Sequence, residues 1–364
     1  DYDIKKLFNV DFGSIILELP RNFDIIEELS GVDYILLGET WNKEIIEIKD
    51  IEISLKDAYE AWSEPLEEIF PTKADSAENI FTVEYKNRNT IRPSIKIAKP
   101  RVLIPIFPGT NGEYDTHKAF EEAGAEIDVL IMKNLTPKDI KESIKELAKR
   151  IGESQIIAMS GSFSSGDAPY GATRFMTAVF RKKQVKEALY NFLNGGDGLM
   201  LGIGNGFQAL LSLGLLPYGE IRDIDENSPS LTTNKIGRHV SQLVRTKVTS
   251  ILSPWFAYSQ LGDIHTMPVS HGEGRFVAGD RLIEELAQKG QIAAQYVDIN
   301  GNVSGDIPYN PNGSANSIES IASPDGRILG KMGHSERTGQ YISINVPGNK
   351  EQSIFKAGVD YFRG

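Results

Sequence analysis

The stretch GLMLGIGNGFQ, residues 198–208, decides the fold of this chain. A short apolar run, Leu199–Ile203, meets three alternating glycines and then a helix-like pattern, which predicts a strand, a sharp turn and a helix. Such a turn presents its central residue at the top of a sheet, and the flanking glycines remove Cβ atoms that would clash in so tight a bend. The central residue here is Gly204, which has no side chain that could react.

Two other interpretations apply to the same stretch. An ordinary strand-to-helix turn is one of them. The other is a dinucleotide-binding fingerprint, G-x-G-x-x-G, because Gly202 and Gly204 match its first two glycines. Phe207 stands where the third glycine belongs, and the turn comes late in the domain rather than after its first strand, which argues against this second interpretation.

Regular alternation of strands and helices surrounds this turn. The predicted strands are Val102–Phe107, Ile127–Met132, Gln155–Gly161 and Leu199–Ile203, and the predicted helices are Thr116–Ala123, Pro137–Arg150, Phe175–Leu193 and Phe207–Leu215. This order is typical of an α/β fold, a parallel sheet with helices on both faces. Because sites in such sheets lie at the carboxyl ends of the strands, we expect the loops after Phe107, Gly161 and Ile203 to converge.

Past Leu216 the pattern changes to shorter strands, which predicts an antiparallel extension of the sheet. The predicted strands there are Val244–Ser253, His265–Val269, Ile292–Val297, Ser317–Ala322 and Arg327–Lys331. Two of them end in polar clusters, residues 270–274 and 333–337.

The first part of the chain looks like a small α+β segment. It combines strand-like and helix-like runs, namely Ser14–Leu19, Tyr34–Leu37, Ile45–Ile53, Phe23–Leu29 and Leu55–Ile69. Trp62, Leu66 and Ile69 share one helical face and are expected to belong to a core. Residues 71–79 are polar and predict a linker, followed by an irregular connection with one strand, Phe81–Tyr85. Since the first residue is Asp1, we expect the chain to be part of a longer protein.

Composition narrows the class of protein. With 39 Lys and Arg against 50 Asp and Glu, the net charge is −11, which repels phosphate backbones and argues against nucleic-acid binding. No apolar run reaches the roughly 20 residues of a membrane helix and no signal peptide is evident, so we expect a cytoplasmic protein without membrane contact. The chain has no cysteine, which excludes disulfides and thiolate metal sites.

One histidine–glutamate pair and one loop could carry chemistry. His334 and Glu336 are separated by one residue, so on an extended segment both side chains project to the same side, and the carboxylate can hold the imidazole in one tautomer. The loop Ser160–Asp167 is rich in small residues, which would let backbone N–H groups approach an oxyanion; a flexible surface loop is the alternative. The remaining histidines, His117, His239 and His265, have no second ligand at metal spacing and are expected to be structural or surface residues.

Six motifs together resemble the glutaminase domain of the phosphoribosylformylglycinamidine synthase family, in its large single-chain form. They are FPGTNGEYD at 107–115, SGSFSSGD at 160–167, LGIGNGFQAL at 201–210, SHGEGR at 270–275, NPNGS at 310–314 and GHSER at 333–337. The resemblance implies a flavodoxin-like class I, triad-type glutamine amidotransferase domain over residues 96–364. It also implies that residues 1–95 are the tail of an aminoimidazole ribonucleotide synthetase-like half, plus a linker.

The resemblance also implies roles for individual residues. His334 would be the general base, Glu336 its orienting acid, and Gly204 occupies the position of the family's cysteine nucleophile. The residues implied to bind the oxyanion or glutamine are Gly161, Ser162, Phe163, Asn205, Gln208, Ser270, His271, Gly272 and Glu273. The first four would contribute backbone N–H groups to an oxyanion hole, and the others would hold the amino-acid end of glutamine.

The implied activity belongs to purine biosynthesis. Glutamine would be hydrolysed to glutamate, and the ammonia would pass to the synthetase half of the same polypeptide, a ligase that converts formylglycinamide ribonucleotide to the amidine. ATP and Mg²⁺ would act in that half of the full-length enzyme, so no cofactor or metal is expected in this part of it.

Gly204 departs from the family pattern, since it cannot form a covalent intermediate. An engineered replacement, a natural loss, and a modified cysteine written as glycine are three possible origins; the completeness of the other motifs favours the first or the third. A catalytically inactive glutamine-binding or docking domain is therefore the alternative function.

Overall fold

The structure, a computed structural model, describes residues 9–10, 12–77, 79–162, 171–195 and 197–364. Its contacts divide the chain into two compact units, residues 1–68 and 69–364. Among the described residues, none of the helices combines the length and the apolar character that a membrane crossing requires.

The first unit contains short elements. They are helix α1 (Ile25–Glu28), strands β1 (Ile45–Ile48) and β2 (Ile51–Ser54), helix α2 (Leu55–Ser63) and a 3-10 turn (Glu64–Leu66). The run Ile45–Ile53 folds as a hairpin rather than one strand, because Lys49 adopts a φ of 56° and the chain reverses there. The predicted strands Ser14–Leu19 and Tyr34–Leu37 are wrong, since neither run pairs with another backbone segment.

The core face expected for Trp62, Leu66 and Ile69 is also wrong. The exposed fractions of Trp62, Leu66 and Ile69 are 79%, 58% and 69%. Helix α2 ends at Ser63 and Pro65 lies in the 3-10 turn, so no single helical face carries the three side chains. None of the described residues up to position 68 is buried.

The second unit carries two 3-10 turns, Pro254–Phe256 and Ala315–Ser317, and the remaining strands and α-helices. In chain order they are β3 (Arg101–Ile106), α3 (Glu113–Glu122), β4 (Glu126–Ile131), α4 (Pro137–Glu153), β5 (Ile156–Met159), α5 (Gly171–Phe180), α6 (Lys183–Asn194), β6 (Leu199–Ile203), α7 (Asn205–Ser212), α8 (Leu215–Tyr218), β7 (Ser230–Thr232), β8 (Val240–Val248), β9 (Ile264–His271), β10 (Arg275–Val277), α9 (Asp280–Gln288), β11 (Ile292–Tyr296), β12 (Ile318–Ala322), β13 (Ile328–Lys331) and α10 (Ile354–Arg363).

A nine-stranded mixed sheet organises these elements, with the strand order β4-β3-β5-β6-β13-β12-β11-β8-β9. Strands β4, β3, β5, β6 and β13 are parallel, and the other four continue the sheet antiparallel. The predicted α/β class, with a parallel sheet and an antiparallel extension, is confirmed. Arg327–Lys331 is predicted to belong to the antiparallel extension, and β13 does pair antiparallel with β12. Its other edge pairs in parallel with β6, because the turn after β12 returns the chain to the free edge of that strand.

Helices cover both faces of the sheet, as predicted. Met200 and Leu201 are neighbours in β6 but belong to different core clusters, because successive strand side chains point to opposite faces. Met200 packs with side chains of α4, α6 and α7, including Leu147 and Leu189. Leu201 packs with α3 and α10, including Phe120.

Two predicted elements are interrupted by tertiary contacts. The expected single helix Phe175–Leu193 is two helices, because Lys182 is extended and the side chain of Arg181 donates to the carbonyls of Ser212 and Arg222. The expected strand Phe81–Tyr85 forms only an isolated bridge at Tyr85. Its backbone N–H groups bind other partners, among them the side-chain oxygens of buried Asn316 and Gln295.

Candidate active site

Gly204 lies at the sharp turn between β6 and α7. It caps the helix with φ 56° and ψ −114°, a conformation that L-residues rarely adopt, and its N–H donates to the carbonyl of Lys331 at 2.9 Å. A Cβ at this position would lie 3.7 Å from the Cα of Gly161 and 3.9 Å from Cε1 of His334. Both are ordinary contact distances, so the turn has room for a side chain beside the imidazole.

The neighbouring glycines permit a close approach of backbone to backbone. A Cβ on Gly206 would lie 2.0 Å from the carbonyl oxygen of Met159, and a Cβ on Gly202 would lie 2.7 Å from the carbonyl of Gly206. Only hydrogen fits at either position. The two glycines therefore let the first turn of α7 sit directly on the ends of β5 and β6.

His334 and Glu336 form a buried pair next to this turn. The Nδ1–H of His334 donates to Oε1 of Glu336 at 2.6 Å, and the exposed fractions of the two side chains are 6% and 1%. This bond leaves Nε2 as the nitrogen that could exchange a proton with a reacting group. The expected extended backbone is wrong: the N–H of Arg337 donates to the carbonyl of His334 at 3.2 Å, so the chain bends there and the bend brings the two side chains together.

The loops after β3, β5 and β6 converge at this point. The N–H groups of Asn111 and Gly112 both donate to the carbonyl of Gly161 at 3.2 Å. A Cβ on Gly161 would lie 3.2 Å from Cε1 of His334, so the backbone of this residue lies against the imidazole. Ser162 forms a bridge with Thr110. Phe163, the third member of the predicted oxyanion loop, lies outside the described residues.

Backbone N–H groups are available where an oxyanion would form. Asn205 is the first residue of α7, and the first N–H groups of a helix have no partner within it. They also carry the positive end of the helix dipole. Ser162 has a buried hydroxyl that lacks a hydrogen-bond partner among the described residues.

A side-chain contact connects α7 with the loop between β9 and β10. Nε2 of buried Gln208 donates to Oε2 of Glu273 at 3.0 Å. At the end of β9, the hydroxyl of Ser270 lies 3.0 Å from Nε2 of His239. In the loop, the carbonyl of Gly272 accepts from the N–H of Asn234 at 2.9 Å. The structure therefore brings Gln208 and this loop together.

His271 is a buried neutral imidazole. Nδ1–H donates to Oδ1 of Asn234 at 3.0 Å, because the amide nitrogen of Asn234 already donates to the carbonyls of Arg238 and His271. Burial is the main cause that lowers the pKa of His271 to about 3, and the proximity of His334 and His239 adds to it. Its Nε2 is buried without a partner among the described residues, so it presents a lone pair.

Sequence reasoning missed three residues of this region. Asn234, which orients His271, lies in an ordinary polar stretch that carries no signal. Lys331 and Glu319 form a fully buried ion pair, with 3.5 Å between Nζ and Oε1. The sequence did indicate this pair, because β12 and β13 are apolar strands that each contain one charged residue, and the two charges are opposite.

The remaining histidines lie on different elements. The side chain of His117 on α3 is 41% exposed, with Nε2 3.9 Å from Oε2 of Glu121, and His265 is buried in β9. In the described part of the chain, no three His, Cys, Asp or Glu side chains form a group that could hold a metal ion.

Comparison with known proteins identifies the family of this fold. Residues 99–362 match the CobB/CobQ-like glutamine amidotransferase domain. The phosphoribosylformylglycinamidine synthase subunit PurQ of Methanococcus maripaludis is 33% identical over 249 residues, which are 68% of this chain and 85% of that protein. The subunit of the same name from Treponema denticola is 32% identical over 281 residues, 72% of this chain and 99% of that protein.

The fold has a counterpart among solved structures. A chain in the structure of PurLQS from Thermotoga maritima matches with a TM-score of 0.50 and 23% identity, over 72% of this chain and 99% of that one. At this identity the likeness shows the shared fold alone. The sequence matches decide the family: the chain belongs to the CobB/CobQ-like glutamine amidotransferase domain family, as a PurQ-like member.

Proposed function

We propose that this chain is the glutaminase part of a phosphoribosylformylglycinamidine synthase, which releases ammonia from glutamine for purine biosynthesis. The observation that carries the proposal is the geometry at Gly204, where a Cβ would lie 3.9 Å from Cε1 of His334 while Glu336 holds the other side of the imidazole. The PurQ relatives support the choice of enzyme.

A cysteine at position 204 would complete the reaction in this geometry. Its thiolate, favoured by the start of α7 and by His334, attacks the side-chain amide carbon of glutamine. Backbone N–H groups at Asn205 and Gly161–Ser162 receive the negative charge on oxygen, and protonated His334 gives its proton to the departing ammonia. Water, activated by the same imidazole, then hydrolyses the thioester to glutamate and frees the thiol.

The surroundings of this reaction belong to the same proposal. Gln208 and the loop from Ser270 to Glu273 would hold the amino and carboxylate groups of glutamine. Residues 1–98 lie ahead of the region that matches the family, which supports the large single-chain form, with the synthetase half in the same polypeptide. We place ATP and Mg²⁺ in that half and the enzyme in the cytoplasm.

Glycine at position 204 favours a second function for the chain as it stands: a glutamine-binding or docking domain without turnover. Removal of a triad nucleophile leaves only the weak catalysis that an oxyanion hole and binding provide. Calorimetry with glutamine tests this function directly. Binding without glutamate release supports it, whereas no binding at all would leave a docking role only.

The substitution Gly204→Cys tests the proposed function. We expect glutamate release at least about 10³-fold faster than that of the parent chain, because the missing nucleophile is restored. The positive φ should cost on the order of 1–3 kcal/mol in unfolding free energy, without a steric clash. Gly204→Ala is the matched control, since it adds the same Cβ without sulfur and should stay inactive. A folded Gly204→Cys variant that binds glutamine but releases no glutamate would refute the assignment of the triad.

A further inference from the structure

Lys331 and Glu319 form an ion pair directly behind the His334–Glu336 pair. Both side chains have an exposed fraction of 0%, and Nζ lies 3.5 Å from Oε1. Taking two charges out of water carries a large desolvation cost, which only good geometry and further hydrogen bonds offset. The contacts of this ion pair therefore indicate what it does.

The contacts of the ion pair converge on the two residues that flank His334. Nζ of Lys331 donates to the carbonyl of Gly333 at 2.9 Å and to the hydroxyl of Ser335 at 2.6 Å. Oε1 of Glu319 accepts from the N–H of Gly333 at 2.7 Å. The hydroxyl of Ser335 donates onward to Oε1 of Gln352 at 2.7 Å. The ion pair therefore holds Gly333 and Ser335, the residues before and after His334 in the chain.

The backbone of Lys331 also holds the position of the nucleophile. Its carbonyl accepts the N–H of Gly204 at 2.9 Å, and in the sheet Lys331 lies opposite Ile203, the residue before Gly204. The backbone of Lys331 therefore contacts the sharp turn, and its side chain contacts the bend at His334.

Other ionisable groups also act on the pair. Burial lowers the pKa of the Lys331 amine, and the carboxylates of Glu319 and Glu336 oppose this effect. Burial and then the charge of Lys331 lower the pKa of His265 on β9, while burial and then the carboxylate of Glu319 raise the pKa of Tyr296 on β11. Glu336, His265 and Tyr296 are thus the ionisable groups that act on the ion pair from outside it.

We propose that Lys331, together with Glu319, is a positioning residue that fixes the distance between the His334 imidazole and position 204. This inference rests on the proposed function for the role of His334. The ammonium acts through hydrogen bonds to Gly333 and Ser335 and touches no reacting atom. Its contribution is therefore geometric.

The test is NMR of the chain as it exists, with ¹⁵N-labelled histidine. The hydrogen bond from Nδ1–H to Glu336 is short, at 2.6 Å, and charge-assisted, so its proton is expected to give a far-downfield signal whose position reports the bond length. We expect Lys331→Met to shift or abolish this signal. The charge-neutral Glu319→Gln/Lys331→Met variant should regain stability, since no unpaired charge remains buried, but should keep the altered signal. An unchanged signal in either folded variant overturns the proposal.

Two further variants separate positioning from a general loss of stability. Ser335→Ala removes one anchor and leaves the ion pair in place, so it should fold and shift the signal upfield; a parental signal overturns the proposal even if the Lys331 variants unfold. Asp325→Asn is the matched control. It weakens the ion pair between Asp325 and Arg327, which lies just before β13, the strand that carries Lys331, and it should leave the signal unchanged. A shift in this control equal to that in Lys331→Met would mean that any destabilisation suffices, which overturns the proposal.

Activity in the Gly204→Cys background gives an independent readout. There Lys331→Met is expected to lower kcat on the order of 100-fold while KM for glutamine changes little, since a misplaced base slows the chemical step. If Gly204→Cys releases no glutamate, the proposed function fails, and the NMR test of positioning still stands. An unchanged kcat in the Lys331→Met variant contradicts the positioning role alone.

Discussion

At the scale of single residues, several neighbours of Gly204 were predicted from sequence motifs and others were not. The sequence motifs named His334, Glu336 and Gly161 as partners of position 204, and the structure places all of them around one point. Motif spacing could not reveal Asn234, because it acts through a contact with a segment 37 residues away. Lys331 contacts residues two and four positions further along the chain, and its only signal was a charge in an apolar strand. The catalytic and binding roles themselves remain predictions until the substitutions are made.

Buried His271 makes stability depend on pH. Its folded-state pKa, about 3, lies below the ordinary value of 6.5, so the unfolded chain binds more protons at acidic pH. The neutral imidazole therefore costs nothing above about pH 6.5, and stability is lost as pH falls from there toward 3. Between pH 7 and 5 we expect this residue to lower the unfolding free energy by about 2 kcal/mol.

Urea unfolding of the parent and of His271→Gln at pH 7 and pH 5 measures this effect. The variant should lose less stability than the parent over that interval, while His265 and the carboxylates act equally in both proteins. His117→Gln is the control, since its side chain is 41% exposed and lacks the burial that acts on His271. Equal pH dependence in His271→Gln and the parent would refute the burial argument.

At the scale of elements, the sequence pattern predicted that helix α7 exists, and packing determines where it lies. The glycines of the stretch 198–208 predicted a tight turn before a helix, and the structure begins α7 at Asn205, immediately after Gly204. The predicted start at Phe207 came two residues late, because apolar periodicity does not register the polar and glycine residues of a first turn. The sequence does not show how closely α7 packs on β5. The structure does, because Gly206 lies directly against the backbone of Met159.

Gly206→Ala should strongly destabilise the protein. Its Cβ would lie 2.0 Å from the carbonyl oxygen of Met159, so α7 would have to move away from the sheet, at a cost of about 3 kcal/mol or more in unfolding free energy. Gly152→Ala is the matched control, because a Cβ there meets nothing within 4 Å and α4 gains helix propensity, up to about 1 kcal/mol. Urea denaturation of both variants checks the difference; similar stabilities would contradict the close contact.

At the scale of the whole molecule, the two units differ in how they are stabilised. The second unit buries two core clusters on opposite faces of its sheet. The described part of the first unit buries no residue, and many of its large apolar side chains are exposed, as Trp62 and Ile26 show. Apolar burial is the main favourable term in folding, so the stability of the chain is expected to reside in the second unit.

Two truncations test where the stable part begins. Residues 69–364 should unfold at the temperature of the full chain. Residues 96–364 should be at least about 2 kcal/mol less stable, because buried Val83 is lost and the fully buried amide oxygen of Gln295 loses its N–H donor. Calorimetry of the full chain and the two truncations measures their stabilities. Equal stability of both truncations would place the start of the stable part near residue 95. A large loss of stability on removing residues 1–68 would contradict the expectation.

Hydrophobic periodicity and glycine placement are local properties, so the sequence by itself determined the α/β class, the order of most strands and helices in residues 101–331, and the positions of the six motifs. Only the tertiary structure decided the hairpin at Lys49, the break at Lys182 and the parallel pairing of β13 with β6, because each depends on which backbone or side chain arrives from elsewhere. The same holds for the contacts of Lys331, whose charge is stabilised in the core only because Glu319 and the bend around His334 fold around it.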